Sequence, residues 1–139
     1  MISIIRIKGQ VKIRGEVKET LFRMGLRKKF SCVLIDEKNK VQIGMLNKIR
    51  DFVAFGEIDK PTLIRLIEKR AQPLENKKIN AEKTASEILA GKKLKDLGIK
   101  PYFRLHPPRG GLKSSKKKFP KGILGNHKQE INKLIERML

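Results

Sequence analysis

The chain has 139 residues, 39% hydrophobic and 35% charged, and its 34 Lys and Arg outweigh 14 Asp and Glu to give a formal net charge of +20. That length suits one domain, or one domain with an extension, and a core that buries roughly two-thirds of the unfolded chain's surface; so much like charge opposes compaction and calls for a strongly negative partner, nucleic-acid phosphate before an anionic membrane surface. No apolar run approaches the ~18 residues of a membrane-spanning helix, the first eight residues lack a signal-peptide layout, so the cytoplasm is the default expectation, and the single cysteine, Cys32, excludes an internal disulfide or a thiolate zinc cluster.

Residues 2–8 are rich in β-branched side chains and run into Gly9, a strand and its turn. A basic loop bracketed by Gly9 and Gly15 follows, carrying Lys12 and Arg14. From Glu16 the period becomes helical: Val17, Leu21 and Met24 share a face, with Lys18, Glu19 and Arg23 turned away. Glu16 complements the helix dipole, Glu19 and Arg23 pair at i,i+4, and Gly25 is a stop. Arg27, Lys28 and Lys29 come next, three cations where capping a helix needs fewer. Residues 32–35 form a short apolar strand in which Cys32 reads as a small buried core residue, and 36–40 form a charged turn. A second helix is predicted over 42–52, burying Met45, Leu46, Ile49 and Phe52 and exposing Asn47, Lys48 and Arg50; a strand follows over 53–58. The order is strand, helix, strand, helix, strand. Each helix has a single apolar stripe, so both must cover one face of a three-stranded sheet.

Pro61 marks another helix start, over 62–71, with Leu63, Leu66 and Ile67 apolar. Residues 72–80 read as a polar connector, and 81–90 as a helix that ends at Gly91 and has Ile88 and Leu89 on its apolar edge. From residue 97 to residue 129 no acidic residue occurs; Lys, Arg, four prolines and five glycines dominate. Such a stretch is expected to lack a core of its own, to be extended, and to order on a partner. Residues 129–139 regain helical spacing through Ile131, Leu134, Ile135 and Met138, which should pack back on the globular part. Four parts result: 1–59, a core of strands and helices; 60–96, a helical extension; 97–128, an extended basic segment; and 129–139, a terminal helix. No internal repeat is visible.

Chemistry-bearing motifs are sparse. Gly122 to Lys128 lacks the spacing and the Gly-Lys-Ser/Thr ending of a nucleotide-binding loop. His106 and His127 are far apart, with no Cys or carboxylate cluster beside them, so no metal is expected. Ser114 and Ser115 sit in a lysine-rich loop, and the carboxylates are scattered singly, so neither catalytic residues, a cofactor nor a small-molecule substrate is expected. Lys116, Lys117 and Lys118 would ordinarily be a solvated charge run. The absence of acids around them points outward, to an external anion. Tyr102 and Phe103, beside Arg104, suit either stacking on bases or anchoring the segment to the core, while Arg109 can stack on a base or grip phosphate bidentately.

Three blocks together resemble a known family. Leu21-Phe-Arg-Met-Gly-Leu-Arg-Lys28 is similar to the first helix and exit of the L-thirty ribosomal proteins of the large subunit, called L-seven in eukaryotes. Ile43-Gly-Met-Leu-Asn-Lys-Ile-Arg50, followed by Val53-Ala-Phe-Gly-Glu57, resembles the second helix and next strand. Phe103-Arg-Leu-His-Pro-Pro-Arg-Gly-Gly111 resembles a segment of the longer archaeal and eukaryotic members. The short bacterial form is matched over 1–59 and the long form over nearly the whole chain, least clearly over 72–92. The long basic N-terminal arm of eukaryotic members has no counterpart ahead of Ile2, which favours the archaeal type.

The resemblance implies an α+β fold: a strand-helix-strand-helix-strand layer with a three-stranded antiparallel sheet, related to the ferredoxin-like fold, and a helical and extended basic C-terminal extension. It implies a structural constituent of the large ribosomal subunit that binds and stabilises ribosomal RNA. The partners would be large-subunit rRNA, in archaeal members near the small rRNA of that subunit, and neighbouring ribosomal proteins, with no membrane and no catalysis. The residues assigned to RNA are Lys12, Arg14, Arg27, Lys28, Lys29, Lys48 and Arg50, then Arg104, His106, Arg109, Lys113, Lys116, Lys117, Lys118 and Lys121. Arg27, Lys28, Lys48 and Arg109 fall in family-like motifs; the others rest on charge and position. The principal alternative is a free-standing RNA-binding protein or RNA chaperone. An RNA-processing enzyme is a rival of another class, and a membrane-surface role is weakened by the Pro and Gly of the tail.

Overall fold

In the computed structural model of the protein, residues 1–9 and 11–139 are described; Gln10, inside the predicted first loop, lies outside them. The β-branched start of the chain forms β1 (Ile2–Arg6), which pairs antiparallel with β2 (Ser31–Ile35) on one side and β3 (Val53–Glu57) on the other. Successive residues of a strand face opposite ways, and both faces of β1 are covered. Ile4, with Val33, Ile35 and Val53, packs on Leu21 of α1 (Gly15–Arg23), on Leu26, and on Leu46 and Ile49 of α2 (Lys40–Ile49). The two helices therefore share one face, as their single stripes require. Gly25, at φ +82°, closes α1: its N–H donates to the Phe22 carbonyl at 3.1 Å and the Leu26 N–H to the Leu21 carbonyl at 2.9 Å. The second helix begins and ends earlier than predicted, because the Asn39 side chain accepts from the Gln42 N–H and starts the helix at Lys40.

The opposite face, with Ile5, Ile7, Cys32 and Ala54, is covered by three further helices. These are α3 (Lys60–Arg70), with Pro61 in its first turn, α4 (Ala81–Leu89), capped by Asn80, and α5 (Ile131–Met138). Leu63, Leu66, Ile67, Ala85, Ile88, Leu134, Ile135 and Met138 are buried there. The Asn132 side chain fastens α5 to the end of β3, accepting from the Asp59 N–H at 2.9 Å and donating to the Glu57 carbonyl at 3.2 Å.

The fold is α+β, but the sheet has six strands, which corrects the expected three. The extra strands are β4 (Phe103–Arg104), β5 (Ser114–Lys118) and β6 (Gly122–Asn126), and the order is β4-β2-β1-β3-β6-β5. Nor is the sheet wholly antiparallel, since β6 runs parallel to both β3 and β5. The acid-free segment has no separate core, but it is anchored: Ile99, Phe103, Leu105, Ile123 and Leu124 are all buried. Averaged over its length the segment is too polar to bury a core. Its few apolar residues instead fill a core built by the rest of the chain. Glycine makes the approach possible: a Cβ on Gly56 would stand 2.9 Å from the Ile131 Cβ and collide with the Lys128 carbonyl.

Candidate nucleic-acid interface

Strand direction decides where the cations meet. The end of β1 lies beside the starts of β2 and β3 (Ile5 opposite Cys32, Arg6 opposite Val53), and β6, parallel to β3 with Gly125 opposite Ala54, extends its own start past that same end. Arg104 on β4 pairs with Ser31 at the same end. One end of the sheet therefore gathers the loop after β1, with Lys12 and Arg14, the turn before β2, with Arg27, Lys28 and Lys29, the turn before β3, with Arg50, and the turn before β6, with Lys121. All of these side chains are exposed.

At the centre of this end sits a residue that sequence reasoning passed over. Arg6 is buried, and its guanidinium donates to the carbonyls of Leu26 (2.8 Å), Arg27 (2.9 Å), Lys8 (3.0 Å) and Gly9 (3.3 Å). Burial pulls its pKa below the usual arginine value. No carboxylate accepts from it among the described residues; carbonyl dipoles satisfy the charge instead. Two cation-bearing loops are thus tied by their backbones to one side chain, which leaves their own side chains outside. The only hint in the sequence was a lone cation within Ile4-Ile5-Arg6-Ile7.

Neighbouring contacts stiffen the same end. The Lys8 N–H donates to the Phe52 carbonyl at 3.2 Å, and its ammonium lies 5.3 Å from the Phe52 ring centroid. The Arg27 guanidinium stacks 4.1 Å from the ring centroid of the exposed Phe22, and the Lys29 ammonium lies 5.1 Å from that of Phe30. Phe30 is held at φ +64°, where its N–H donates to the Arg6 carbonyl at 2.8 Å.

Lys116, Lys117 and Lys118 are exposed on β5, at the sheet edge. The expectation that this run finds only external anions needs correction at Lys118, whose ammonium is 3.2 Å from the Asp51 carboxylate. Both partners are more than half exposed, so the pair contributes ~0–1 kcal/mol. Lys48 is not at the gathered end. It lines a groove of about 810 Å³ between α1 and α2, with Glu16, Glu19 and Arg23. His106 and Arg109 form a separate patch at the end of α5: their N–H groups donate to the carbonyls of Met138 and Arg137, each at 3.0 Å. Arg137, also unforeseen, donates from Nε to the Arg109 carbonyl at 2.9 Å and from Nη2 to the Gly111 carbonyl. Of the two aromatics left open by the sequence, Phe103 is fully buried and serves as an anchor. Tyr102 is half-buried, with the Arg104 guanidinium 5.7 Å from its ring centroid. Cys32 is a packing residue, its thiol pKa pushed up to about 12 by burial. Among the described residues no group of three His, Cys, Asp or Glu could hold a metal ion, and no helix is long and apolar enough to cross a membrane.

Comparison with known proteins bears directly on this basic end. The family described as Ribosomal protein L30p/L7e matches residues 2–53, from β1 to the start of β3. Beyond that stretch, the large ribosomal subunit protein uL30 of Archaeoglobus fulgidus is 40% identical over an alignment that covers 99% of both chains. The uL30 of Methanococcus vannielii is also 40% identical, covering 99% of this chain and 98% of the relative. The chain belongs to the L30p/L7e family. It is of the archaeal-type long form: the uL30 of Korarchaeum cryptofilum, 37% identical, covers all of this chain and 95% of its own length. Members of that form share the segments that build β4, β5, β6 and α5 here, so the extra strands lie within the family's shared length.

Proposed function

We propose that this chain is a structural constituent of the large ribosomal subunit, where it binds and stabilises ribosomal RNA in the cytoplasm, beside neighbouring ribosomal proteins. The observation that carries the reading is the convergence of separate cation-bearing turns on one sheet end, with Arg6 fixing the backbones of two of them.

The mechanism is electrostatic and entropic. Lys and Arg take the place of counterions condensed on closely spaced phosphates, and the released ions drive association. Lys12, Arg14, Arg27, Lys28, Lys29, Arg50, Arg104 and Lys121 contact one stretch of backbone as a group. Lys116, Lys117 and, after exchanging its Asp51 partner, Lys118 extend the track along β5. His106, Arg109 and Lys113 form a second contact beside α5, and the small rRNA of the subunit is the assigned neighbour. Lys48 stands beside carboxylates, so its contribution is the weakest of the set. The protein itself supplies no reaction chemistry in this reading; it fixes the path of the RNA.

Sedimentation through a moderate-salt gradient tests the proposal. The chain should travel with large subunits, and crosslinks from the gathered end should map to rRNA. A chain that leaves the subunits while staying on bulk RNA would instead be a free-standing RNA binder.

A further inference from the structure

The phosphate contacts proposed above need only cations, yet the basic segment also borders a recess with apolar walls under a charged rim that includes Glu130. A cavity of about 220 Å³ opens between β6 and α5. Buried Ile123 and Leu134 line it, together with the tilted ring pair of Phe119 and His127, whose centroids are 4.5 Å apart with 37° between planes. Lys113 stands at its rim, exposed and without an ion-pair partner among the described residues. The other rim cations are engaged: Lys133 pairs with Glu130 at 3.1 Å, and Arg137 holds the carbonyls of Arg109 and Gly111.

The ring of His127 carries the specific chemistry. It is only 6% exposed, and its Nε2 lies 2.5 Å from the Ile123 carbonyl oxygen. A carbonyl can only accept, so Nε2 bears the hydrogen and Nδ1 of the neutral ring keeps its lone pair. Burial lowers the pKa and favours that neutral form, an effect opposed by the Ile123 carbonyl and Glu130 and reinforced by Lys113. Nδ1 has no hydrogen-bond partner among the described residues. The lining thus offers apolar walls, an aromatic face and, on His127, one acceptor open to solvent, next to the strand that bears Lys116 to Lys118.

We infer that this recess receives a single unstacked nucleobase of the bound RNA, with the His127 Nδ1 accepting an N–H from the base edge and Lys113 meeting the adjoining phosphate. Size argues for one heterocycle: drug-sized ligands occupy ~300–1,000 Å³, more than this recess offers. A bare phosphate gains nothing from walls of Ile and Leu. A base extruded from its stack finds an aromatic partner and a hydrogen bond, the usual terms on which proteins read single-stranded RNA. The inference rests on the ribosomal reading and adds base recognition to it.

The test is an NMR titration of the full chain with each ribonucleoside monophosphate in turn, following the Ile123 methyl and His127 imidazole signals. Ribose 5-phosphate and N-acetyltryptophanamide are the control probes. At least one nucleotide should shift both signals saturably, while ribose 5-phosphate leaves them in place. His127→Phe, which keeps an aromatic ring but removes the Nδ1 acceptor and with it the Nε2 donor to Ile123, should weaken that nucleotide about 5-fold, the worth of one hydrogen bond to the base. Lys113→Met, at an exposed position, should reduce nucleotide affinity to that of the nucleoside. Equal shifts from ribose 5-phosphate overturn the base site in favour of an anion site. Shifts from the tryptophan amide alone overturn it in favour of a protein side chain. Silence from every nucleotide also overturns it. Binding of the same chain to large-subunit rRNA, measured against salt, separates the two claims: steep salt dependence with a silent recess removes only the base site, and a flat response removes the ribosomal reading beneath it.

Discussion

The first 57 residues and the stretch from 99 to 126 reach the same sheet by opposite routes. In the first, apolar residues come in runs and stripes: Ile4 and Ile5 on β1, Leu46 and Ile49 on α2. Those elements bring their own core, and the cations sit at their ends. In the second, single apolar residues are scattered among Lys, Arg, Pro and Gly, and each inserts into a core made elsewhere. Both stretches deliver cations to the same end of the sheet. The difference teaches that a strongly basic segment need not wait for its anion to become ordered. A few anchors such as Phe103 and Ile123 pin it, and the charges between them stay free for the partner.

The sharpest way to break this contrast is to remove an anchor. Ile123→Ala should cost ~2–5 kcal/mol, as core truncations of Ile do, read as a lower midpoint in urea denaturation. A loss under ~0.5 kcal/mol, the range of an ordinary surface substitution, would mean that the segment is held by its partner after all. Removing the charges should do the reverse. Replacing Lys116, Lys117 and Lys118 together with Ala should leave stability within ~1 kcal/mol, because the ion pair of Lys118 with Asp51 is exposed. It should also flatten the log–log salt dependence of rRNA binding by ~0.7–0.9 for every phosphate these lysines neutralise. A large fall in melting temperature would make the run part of the fold.

The smallest expected effect is a pH dependence. With its pKa lowered by burial, His127 is neutral in the folded chain while the unfolded chain begins to take up protons near pH 6.5. The stability it contributes is whole above that pH and is lost as pH falls through the folded value. Glu130, Lys113, Lys133 and Arg137 face the same recess, and of these Glu130 opposes the shift and Lys113 reinforces it. Thermal melts should therefore drop between about pH 7.5 and 5.5, in the range where histidine titrates, and the drop should shrink in His127→Phe. An unchanged slope in that variant assigns the effect to other groups.

These contrasts mark what could be read from the sequence. β1, α1 and β3 announced themselves through β-branched runs, one-faced spacing and the Gly25 stop. The start of α2 was there to be read in Asn39, a capping residue ahead of the predicted helix. β6 was hidden: Ile123 and Leu124 are its only large apolar residues, set between glycines, and two residues show no period. The need for glycine at position 56 was hidden too, because its cause is the backbone at Lys128 and the side chain of Ile131, distant in sequence. For the candidate interface, charge and exposure named the cations. Only strand direction could say which of them meet. Arg6 was missed because it touches no phosphate in this reading and works through carbonyls of residues that do.

The parallel seam between β3 and β6 has a consequence for how this chain is made. Synthesis runs from the N-terminus, so β1, β2 and β3 emerge long before residues 122–138, which supply both the next strand and α5, the last of the three helices over the face of Ile5, Ile7 and Ala54. Until then the nascent polypeptide displays an open strand margin and a sheet face only part covered by α3 and α4. A stalled or clipped product ending near residue 120 should aggregate, whatever its charge.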